Sequence, residues 1–294
     1  MKIVITIPAY NEEKTIANII REIKLVMGKT MYNYSILVVN DGSNDKTEKI
    51  AKQNGVLVIS HKRNLGLAET FKTEMKKCID LKADIIVHTD SDGQYPSSYI
   101  PSLIKKIEEG YDLVLGSRFG KGKYAGSFLK KLGNKLFARV FSGLLKTKLS
   151  DTTTGFRAFN LDVAKLPLIN SFTYTQEQLI RAGKANMRVT EIPINTNKTR
   201  ESRLFKGPID YAIKAWINIF RIYRDFEPLK FFGRISWFLF VLSFFLFVYI
   251  FIKFMQFGLV QLDRMLPSII LATLFFLTGL QILLFGFLAD MNRK

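Results

Sequence analysis

The sequence of 294 residues contains one cysteine, Cys78, and two histidines. A single thiol cannot close an intramolecular disulfide, which fits a reducing compartment, and we predict that Cys78 is a small apolar side chain on a helix. His61 and His88 are not at the spacing of a metal-ligand pair, so we predict structural roles for both. The sequence therefore gives no sign of a disulfide framework or a histidine-rich metal site.

Glycine-rich phosphate loops are also absent from the sequence. No dinucleotide-type glycine pattern follows the first predicted strand, and no GxxxxGK segment occurs anywhere. If the chain binds a nucleotide, its phosphates are not held by a glycine-rich loop. We expect a metal ion to hold them instead.

Two long runs, residues 235–252 and 265–289, lack charged residues entirely. Each is close to the ~20 residues that a helix needs to cross a bilayer. Neither run has the polar stripe of a helix that packs on a soluble core, so we predict two transmembrane helices. The first 20 residues do not have a signal-peptide pattern, because a short apolar run is followed by the polar segment YNEEK.

Basic residues around these runs predict the orientation in the membrane. Four lysines and arginines lie between residues 221 and 234, and the chain ends with Arg293 and Lys294. By the positive-inside rule, the N-terminal part and both termini are cytoplasmic. Residues 207–232 mix aromatic, aliphatic and basic residues at helical spacing, which predicts an amphipathic helix region in the membrane interface; an ordinary amphipathic packing helix is the alternative.

The first 206 residues alternate strand-like and helix-like segments. Helix-like patterns such as 14–28 and 96–110 separate five short β-rich runs: KIVITIP, YSILVVN, GVLVIS, ADIIVHTD and YDLVLG. This alternation predicts an α/β domain with a mostly parallel sheet that is covered on both faces. The predicted organisation is therefore a catalytic domain at 1–206, an interfacial region at 207–232 and a membrane anchor at 233–294.

Polar segments follow three of the predicted strands: PAYNEE, NDGSND and DSDGQ. In parallel sheets, ligands bind beyond the carboxyl ends of the strands, although Asn44 and Asp45 are also candidate helix caps. Asp90 and Asp92, in the third segment, repel each other unless a cation lies between them. Their oxygen atoms suit Mg²⁺ or Mn²⁺, and we predict a site for one of these ions with Gln94 as a further ligand.

Seven segments resemble glycosyltransferase family 2, and more narrowly its polyprenyl-phosphate (dolichol-phosphate) glycosyltransferases, over about residues 1–206: IPAYNEE, VVNDGSNDKT, NLGLAETFKTEM, HTDSDGQYP, LVLGSRF, DTTTGFRAFN and VTEIPI. The resemblance implies a GT-A fold, a nucleotide-sugar donor, a divalent metal and inversion at the anomeric carbon. It also implies residue roles. The nucleotide-sugar pocket would contain Pro8, Ala9, Tyr10, Glu12, Asp41, Asp90 and Ser91, and the metal ligands would be Asp90, Asp92 and Gln94.

The positive charge is concentrated in one part of the chain. Residues 118–206 contain 18 lysines and arginines against five acidic residues, a net charge of +13 in a chain whose total is +18. Such a basic segment can attract nucleic acid, anionic lipid or an anionic substrate. Because a membrane anchor follows and no nucleic-acid motif is visible, we predict lipid headgroups and an anionic lipid substrate rather than nucleic acid.

A lipid phosphate acceptor changes the chemistry that the site must supply. A hydroxyl acceptor needs a general base, whereas a monophosphate is already an oxyanion near neutral pH. What the phosphate needs is cations, and arginine forks match its oxygens. The predicted acceptor-phosphate residues are Arg118, Arg200, Ser202, Arg203 and Lys206. We assign catalytic roles to Asp90, Asp92 and Arg118.

The segment around residues 200–206 departs from the family pattern RxxGxSK. It lacks the glycine before Ser202 and has Arg203 in place of lysine, and surface charge is the alternative reading for Lys206. Glu177 either shapes the acceptor side or is a solvated carboxylate in the first turn of a helix. Asp151 either stabilises the loop that follows it or meets the sugar.

The predicted function is transfer of a hexose or N-acetylhexosamine from a nucleotide sugar to a polyprenyl phosphate at the cytoplasmic membrane face. A UDP-sugar is favoured over GDP-mannose because NDGSND resembles the UDP-sugar members of the family. A membrane glycosyltransferase that acts on a hydroxyl of a glycolipid or polysaccharide is one alternative. A non-catalytic membrane receptor for a nucleotide or anionic lipid is another. The sequence is also compatible with a homo-oligomer.

Overall fold

The computed structural model describes residues 1–119, 149–168, 174–197, 217, 220–221, 223–258 and 262–292. The chain forms two compact units, residues 1–212 and 213–294. The first contains the α/β sheet and the second contains two long apolar helices. Each unit is described by itself.

The described part of the first unit contains a seven-stranded mixed sheet with strand order β3-β2-β1-β4-β6-β5-β7. All neighbouring strands are parallel except β6, which is antiparallel to both β4 and β5. The prediction of a mostly parallel sheet is therefore confirmed. The strands are β1 (Lys2–Ala9), β2 (Asn33–Asn40), β3 (Leu57–Ser60), β4 (Ile85–His88), β5 (Leu113–Ser117), β6 (Arg157–Asn160) and β7 (Val189–Pro193).

Helices connect these strands and cover the sheet. They are α1 (Ile16–Met27), α2 (Thr47–Gln53), α3 (Leu67–Asp80), α4 (Ile100–Glu108), α5 (Leu161–Ala164) and α6 (Tyr174–Lys184), and a short 3-10 helix at Ser97–Tyr99 precedes α4. Helix α1 forms because apolar residues recur every three or four positions, which places Ile16, Ile20 and Ile23 on one buried face. The two helical segments predicted at 14–28 and 96–110 contain α1 and α4.

The main core lies between the sheet and helices α1 and α4. Ile3, Ile5 and Ile7 point from β1 into the same buried cluster as Ile20 of α1 and Leu103 of α4. Burial of each such side chain contributes about 1.5 to 3 kcal/mol. Strand β1 is buried on both faces because helices cover the sheet on both sides, which explains its nearly continuous apolar sequence.

Strands β6 and β7 are not among the five runs predicted from the sequence patterns, and β6 is the one that meets the predicted metal site. It inserts between β4 and β5, and Arg157 at its start lies opposite His88 at the end of β4. Because β6 runs antiparallel to β4, the loop that precedes it lies at the carboxyl end of β4. The DTTTG segment, residues 151–155, therefore meets the predicted metal site.

The described part of the second unit consists mainly of α7 (Pro228–Phe257) and α8 (Leu262–Met291). Both are long and apolar enough to cross a membrane, and they contain the predicted runs 235–252 and 265–289. Ser243 of α7 donates a hydrogen bond to the Ala272 carbonyl of α8 at 2.8 Å. Gly279 lies directly against the Phe240 ring. Small residues therefore let the two helices approach closely. Half of the interfacial region predicted at 207–232 lies outside the described residues.

Candidate active site

The carboxyl ends of β1, β2 and β4 lie side by side in the sheet. Ala9 is in register with Asn40 of β2, and Thr6 is in register with His88 of β4. The three polar segments predicted from the sequence therefore share one edge. Pro8 and Ala9 end β1, with Tyr10 and Glu12 beyond it, and Asp41 follows β2. Asp90, Ser91 and Asp92 follow β4.

The loops after β1 and β2 are cross-linked by hydrogen bonds. The backbone N–H of Glu12 donates to Thr47 Oγ1 at 2.8 Å, and that of Asn11 donates to Ser43 Oγ at 2.9 Å. Asp45 accepts a bond from the Thr47 backbone N–H at 2.9 Å, so it caps the start of α2. The side chain of Glu12 is buried and accepts a bond from Thr15 Oγ1 at 3.0 Å. These bonds fix the wall in which a nucleoside site is predicted.

Asp41 is held by three hydrogen-bond donors. Its Oδ1 lies 2.7 Å from Nδ1 of His61 and 2.9 Å from the Leu65 backbone nitrogen, and its Oδ2 accepts from the Gly66 nitrogen at 2.8 Å. The other ring nitrogen of His61 bonds to Thr73 at 2.9 Å, which fits the structural role predicted for this histidine. Within the described residues, a second lone pair on Asp41 Oδ2 is left for a ligand. The nucleoside role of Asp41 stays a prediction.

The carboxylates of Asp90 and Asp92 retain acceptor capacity. No donor in the described part of the chain bonds to Asp90, while Asp92 Oδ1 accepts from the Gln94 backbone N–H at 2.9 Å. Burial raises the pKa of Asp90, and the charge of Asp92 raises this pKa further, whereas His88 and Arg118 act in the opposite direction. A half-buried carboxylate that lies close to a like charge and has no donor among the described residues favours a cation as its partner.

The residues present fit a hard divalent ion. Asp90 and Asp92 offer oxygen atoms only, and the described residues contain no group of three or more His, Cys, Asp or Glu side chains that could form a metal cage. Mg²⁺ and Mn²⁺ suit such a partial site, because they accept water and substrate phosphate oxygens as further ligands. Gln94 joins this region through its backbone. A metal contact by its side chain stays a prediction.

Gly155 forms the opposite wall of the Asp90 site, and the sequence analysis did not select it. A Cβ atom at this position would lie 3.0 Å from both Oδ1 and Oδ2 of Asp90. Only a glycine lets the backbone approach the carboxylate this closely without moving it. The glycine in DTTTGFRAFN was the feature of the sequence that could have indicated this position. Its contact with Asp90 depends on the position of β6 beside β4.

Arg118 forms a two-point ion pair with Asp151. Nε of Arg118 lies 2.6 Å from Oδ2 and Nη2 lies 2.9 Å from Oδ1, and Nη2 also donates to Thr153 Oγ1 at 2.6 Å. Burial alone would raise the pKa of Asp151, but the hydrogen bonds and charge of Arg118 outweigh it and lower that pKa. Asp151 therefore stabilises its loop. The edge of the Arg118 guanidinium formed by Nε and Nη2 is occupied by Asp151. A phosphate contact by Arg118 stays a prediction, and in this conformation it would not use that edge.

A second buried polar cluster lies beneath Asp90. His88 Nδ1 is 2.7 Å from Glu74 Oε2 and 3.1 Å from Thr6 Oγ1, and all three side chains are buried. This arrangement fits the structural role predicted for His88. Glu177 is also fully buried and bonds to Arg181 Nε at 2.9 Å. The alternative of a solvated carboxylate at Glu177 is therefore wrong.

Four of the predicted acceptor-phosphate residues lie outside the described residues: Arg200, Ser202, Arg203 and Lys206. Much of the basic segment, at 120–148 and 198–206, also lies outside them. Their predicted roles therefore rest on the sequence. The described residues include those predicted for the donor and for the metal ion.

The family model for glycosyl transferase family 2 matches residues 4–166, which is more than half of the chain. The chain belongs to this family and is a glycosyltransferase. The matched region contains most of β1 and all of β2 to β6, and therefore all three predicted strand ends as well as Gly155. The family resemblance of the sequence is confirmed.

Two curated relatives are similar over most of their own length. A dolichyl-phosphate hexose transferase of Haloferax volcanii is 32% identical over 195 residues, which cover 63% of this chain and 78% of that protein. A UDP-N-acetylglucosamine–dolichyl-phosphate N-acetylglucosaminyltransferase of Methanococcus voltae is 32% identical over 225 residues, which cover 68% of this chain and 87% of that protein.

A solved structure with the same fold is glucosyl-3-phosphoglycerate synthase from Mycobacterium tuberculosis, in complex with Mn²⁺, UDP and glucosyl-3-phosphoglycerate. It superposes with a TM-score of 0.60 at 20% identity and covers 76% of this chain and 78% of that one. At this identity the similarity concerns the fold alone. Together with the family match, it confirms the predicted GT-A fold.

Proposed function

We propose that this protein transfers a hexose or N-acetylhexosamine from a nucleotide sugar, preferably a UDP-sugar, to a polyprenyl phosphate. The observation that carries the proposal is the pair Asp90 and Asp92, two carboxylates with unused acceptor capacity at the ligand-binding edge of the sheet. The two relatives named for dolichyl-phosphate transfer support the acceptor. The two candidate membrane spans support a lipid substrate.

Asp90 and Asp92 would hold the divalent ion on the donor side of the site. When bound, the ion neutralises charge on the diphosphate leaving group. Gly155 leaves room for the Asp90 carboxylate on the opposite side, because a Cβ atom there would push the carboxylate away. The remaining acceptor position of Asp41 is suited to an N–H donor of the base, and the cross-linked loops after β1 and β2 hold this wall in place.

The state of the acidic side chains favours a phosphate acceptor over a hydroxyl acceptor. A hydroxyl acceptor needs a positioned base, and the described residues after β5 in the first unit contain four carboxylates. Each is already paired: Asp151 with Arg118, Asp162 with Lys165, Glu177 with Arg181, and Glu191 with Ser150. A lipid phosphate needs no base, and the basic segment 118–206 offers cations to balance its charge.

The proposed site of action is the cytoplasmic face of a membrane. The basic residues before the first apolar run and at the C-terminus support this orientation by the positive-inside rule. The inverting outcome follows from the family resemblance. A single displacement fits it, since the acceptor oxyanion can attack the anomeric carbon directly.

A substrate panel tests the proposal. Purified protein in lipid vesicles would be incubated with Mn²⁺, one of several UDP- or GDP-sugars and a polyprenyl phosphate. The mass of the lipid product would be measured by mass spectrometry. We expect one donor to give a polyprenyl-phosphate sugar of the corresponding mass. Matched reactions with the free polyprenol test the hydroxyl alternative. Transfer to the polyprenol but not to its phosphate would overturn the proposed acceptor.

A further inference from the structure

Arg157, the first residue of β6, is a fully buried cation. Its guanidinium bonds to uncharged acceptors: Nη1 donates to the Thr175 carbonyl at 2.9 Å and to Gln178 Oε1 at 3.1 Å, and Nη2 donates to the Thr154 carbonyl. Within the described part of the chain, no carboxylate forms a salt bridge with it. A buried charge that no salt bridge compensates is costly, and the charges of Asp151 and Asp90 offset this cost only in part, so stability alone does not explain this arginine.

The bonds of Arg157 join two separate segments. Thr154 belongs to the loop before β6, whereas Thr175 and Gln178 belong to the beginning of α6. The guanidinium therefore holds the loop and the helix at a fixed distance. A lysine at this position would carry the same charge but not the planar set of donors that serves both segments.

The segment held by Arg157 is the one that supports Asp90. Thr154 immediately precedes Gly155, whose Cα faces both oxygens of the Asp90 carboxylate. On the other side, Arg118 holds the same loop through Asp151 and Thr153. The loop is thus anchored by one arginine at each end, with Gly155 next to the second anchor.

We propose that Arg157 is a positioning residue for the metal site. By holding the Thr154 carbonyl it keeps Gly155 against the Asp90 carboxylate, and so fixes the direction in which that carboxylate meets a divalent ion. Because it is fully buried, Arg157 acts through Gly155 and Asp90 and does not contact substrate. This inference rests on the proposed metal-dependent use of a nucleotide sugar.

The test separates metal-dependent nucleotide binding from folding. Arg157→Met and Arg157→Lys would be purified as full-length chains in detergent, and UDP and GDP binding would be measured by calorimetry with and without Mn²⁺. We expect Arg157→Met to keep the metal-free affinity of the parent and to lose about 10- to 100-fold of the gain that Mn²⁺ confers, as for other supports of metal ligands. Arg157→Lys should recover part of this gain.

Phe159→Leu is the matched control for loss of packing. Phe159 is buried in the same strand, two residues further on, and lies outside the loop that supports Asp90. We expect this variant to lower the unfolding temperature and to keep the full Mn²⁺-dependent gain. If Arg157→Met lowers the unfolding temperature to the same extent as Phe159→Leu and also keeps the gain, Arg157 has only a structural role and the inference is wrong.

Two milder variants cover the case in which Arg157→Met does not fold. Gly155→Ala places a Cβ against Asp90, and Gln178→Met removes one acceptor of the guanidinium while keeping side-chain length. Both should reduce the Mn²⁺-dependent gain, and an unchanged gain in both would overturn the inference.

A parent that binds nucleotide with Mn²⁺ but does not glycosylate polyprenyl phosphate would contradict the proposed acceptor and leave this binding test valid. A parent without any Mn²⁺-dependent gain would contradict both proposals.

Discussion

Asp92 keeps one of its two carboxylate oxygens for a ligand, as judged from the described residues. Oδ1 accepts from the Gln94 backbone N–H, and Oδ2 has no donor among the described residues. Replacement by asparagine keeps the size of the side chain and removes the charge that would neutralise the ion. We expect Asp92→Asn to reduce the rate of transfer at least about 100-fold, because charge stabilisation at the diphosphate contributes several kcal/mol to catalysis.

Initial rates over a series of Mn²⁺ concentrations check this expectation. Asp84→Asn is the control, because Asp84 is an exposed carboxylate before the start of β4, at the opposite edge of the sheet. It should keep the rate of the parent. An Asp92→Asn enzyme that remains fully active in excess chelator would contradict the metal assignment.

Asp151 makes a pH-dependent contribution to stability. Its pKa is lowered in the folded protein, so the free energy of its pairing with Arg118 is fully present above the ordinary pKa near 4 and is lost as the pH falls through the lowered value. We expect Asp151→Asn to lower the free energy of unfolding by about 3 kcal/mol at neutral pH, because it leaves a largely buried arginine without its partner. The difference from the parent should shrink as the pH falls below about 4.

Urea unfolding at several pH values measures this difference. Asp162→Asn is a suitable comparison, because Asp162 is 71% exposed and its ion pair within the described part of the chain is with Lys165 at the surface. Such surface pairs contribute little, so its effect should be small at every pH. A difference for Asp151→Asn that does not change between neutral and acidic pH would show that the carboxylate charge is not the source of the stability.

Among the elements, β6 explains why part of the site could not be predicted. RAFN has only four residues and follows a polar segment, so its local pattern is weak, and its strand conformation depends on bonds to β4 and β5. Strand β1 and helix α1 have strong local patterns and were predicted. The strand-end rule then selected Asp90 and Asp92, and the family resemblance implied a role for Asp41. Gly155 and Arg157 required the position of β6, which is a nonlocal property.

The packing of α7 against α8 can be tested with two glycines, Gly279 and Gly233. A Cβ on Gly279 would lie 2.9 Å from Cε1 of the Phe240 ring, whereas a Cβ on Gly233 would have no atom within 4 Å. Alanine favours a helix over glycine by about 1 kcal/mol, so Gly233→Ala should leave stability equal or raise it. Gly279→Ala should lower the unfolding temperature in detergent, since the helices must move apart or the ring must turn.

Thermal unfolding of both variants under the same detergent conditions provides the comparison. The two changes add the same methyl group to a helix of the same unit, so the contrast between them isolates helix contact from helix propensity. Equal unfolding temperatures for Gly233→Ala and Gly279→Ala would show that α7 and α8 do not pack through Gly279.

At the scale of the whole molecule, the two units divide the predicted work. The described residues that are predicted to bind the donor and the metal belong to the first unit, and the long apolar helices belong to the second. A protein without α7 and α8 should therefore keep its nucleotide site. We expect a chain that ends at residue 227, before α7 begins, to bind UDP in the presence of Mn²⁺ with the affinity of the parent.

The same truncated chain should use a long-chain lipid acceptor poorly. A membrane anchor holds the enzyme where the acceptor is confined, and this raises the effective concentration of one substrate for the other. We expect transfer to a long polyprenyl phosphate in vesicles to fall by about 100-fold or more, while transfer to a water-soluble short-chain prenyl phosphate should be close to that of the parent. If the truncated chain binds UDP but fails with both acceptors, the apolar helices contribute to the acceptor site itself and not only to its location. Loss of UDP binding would instead show that the nucleotide domain extends beyond residue 227.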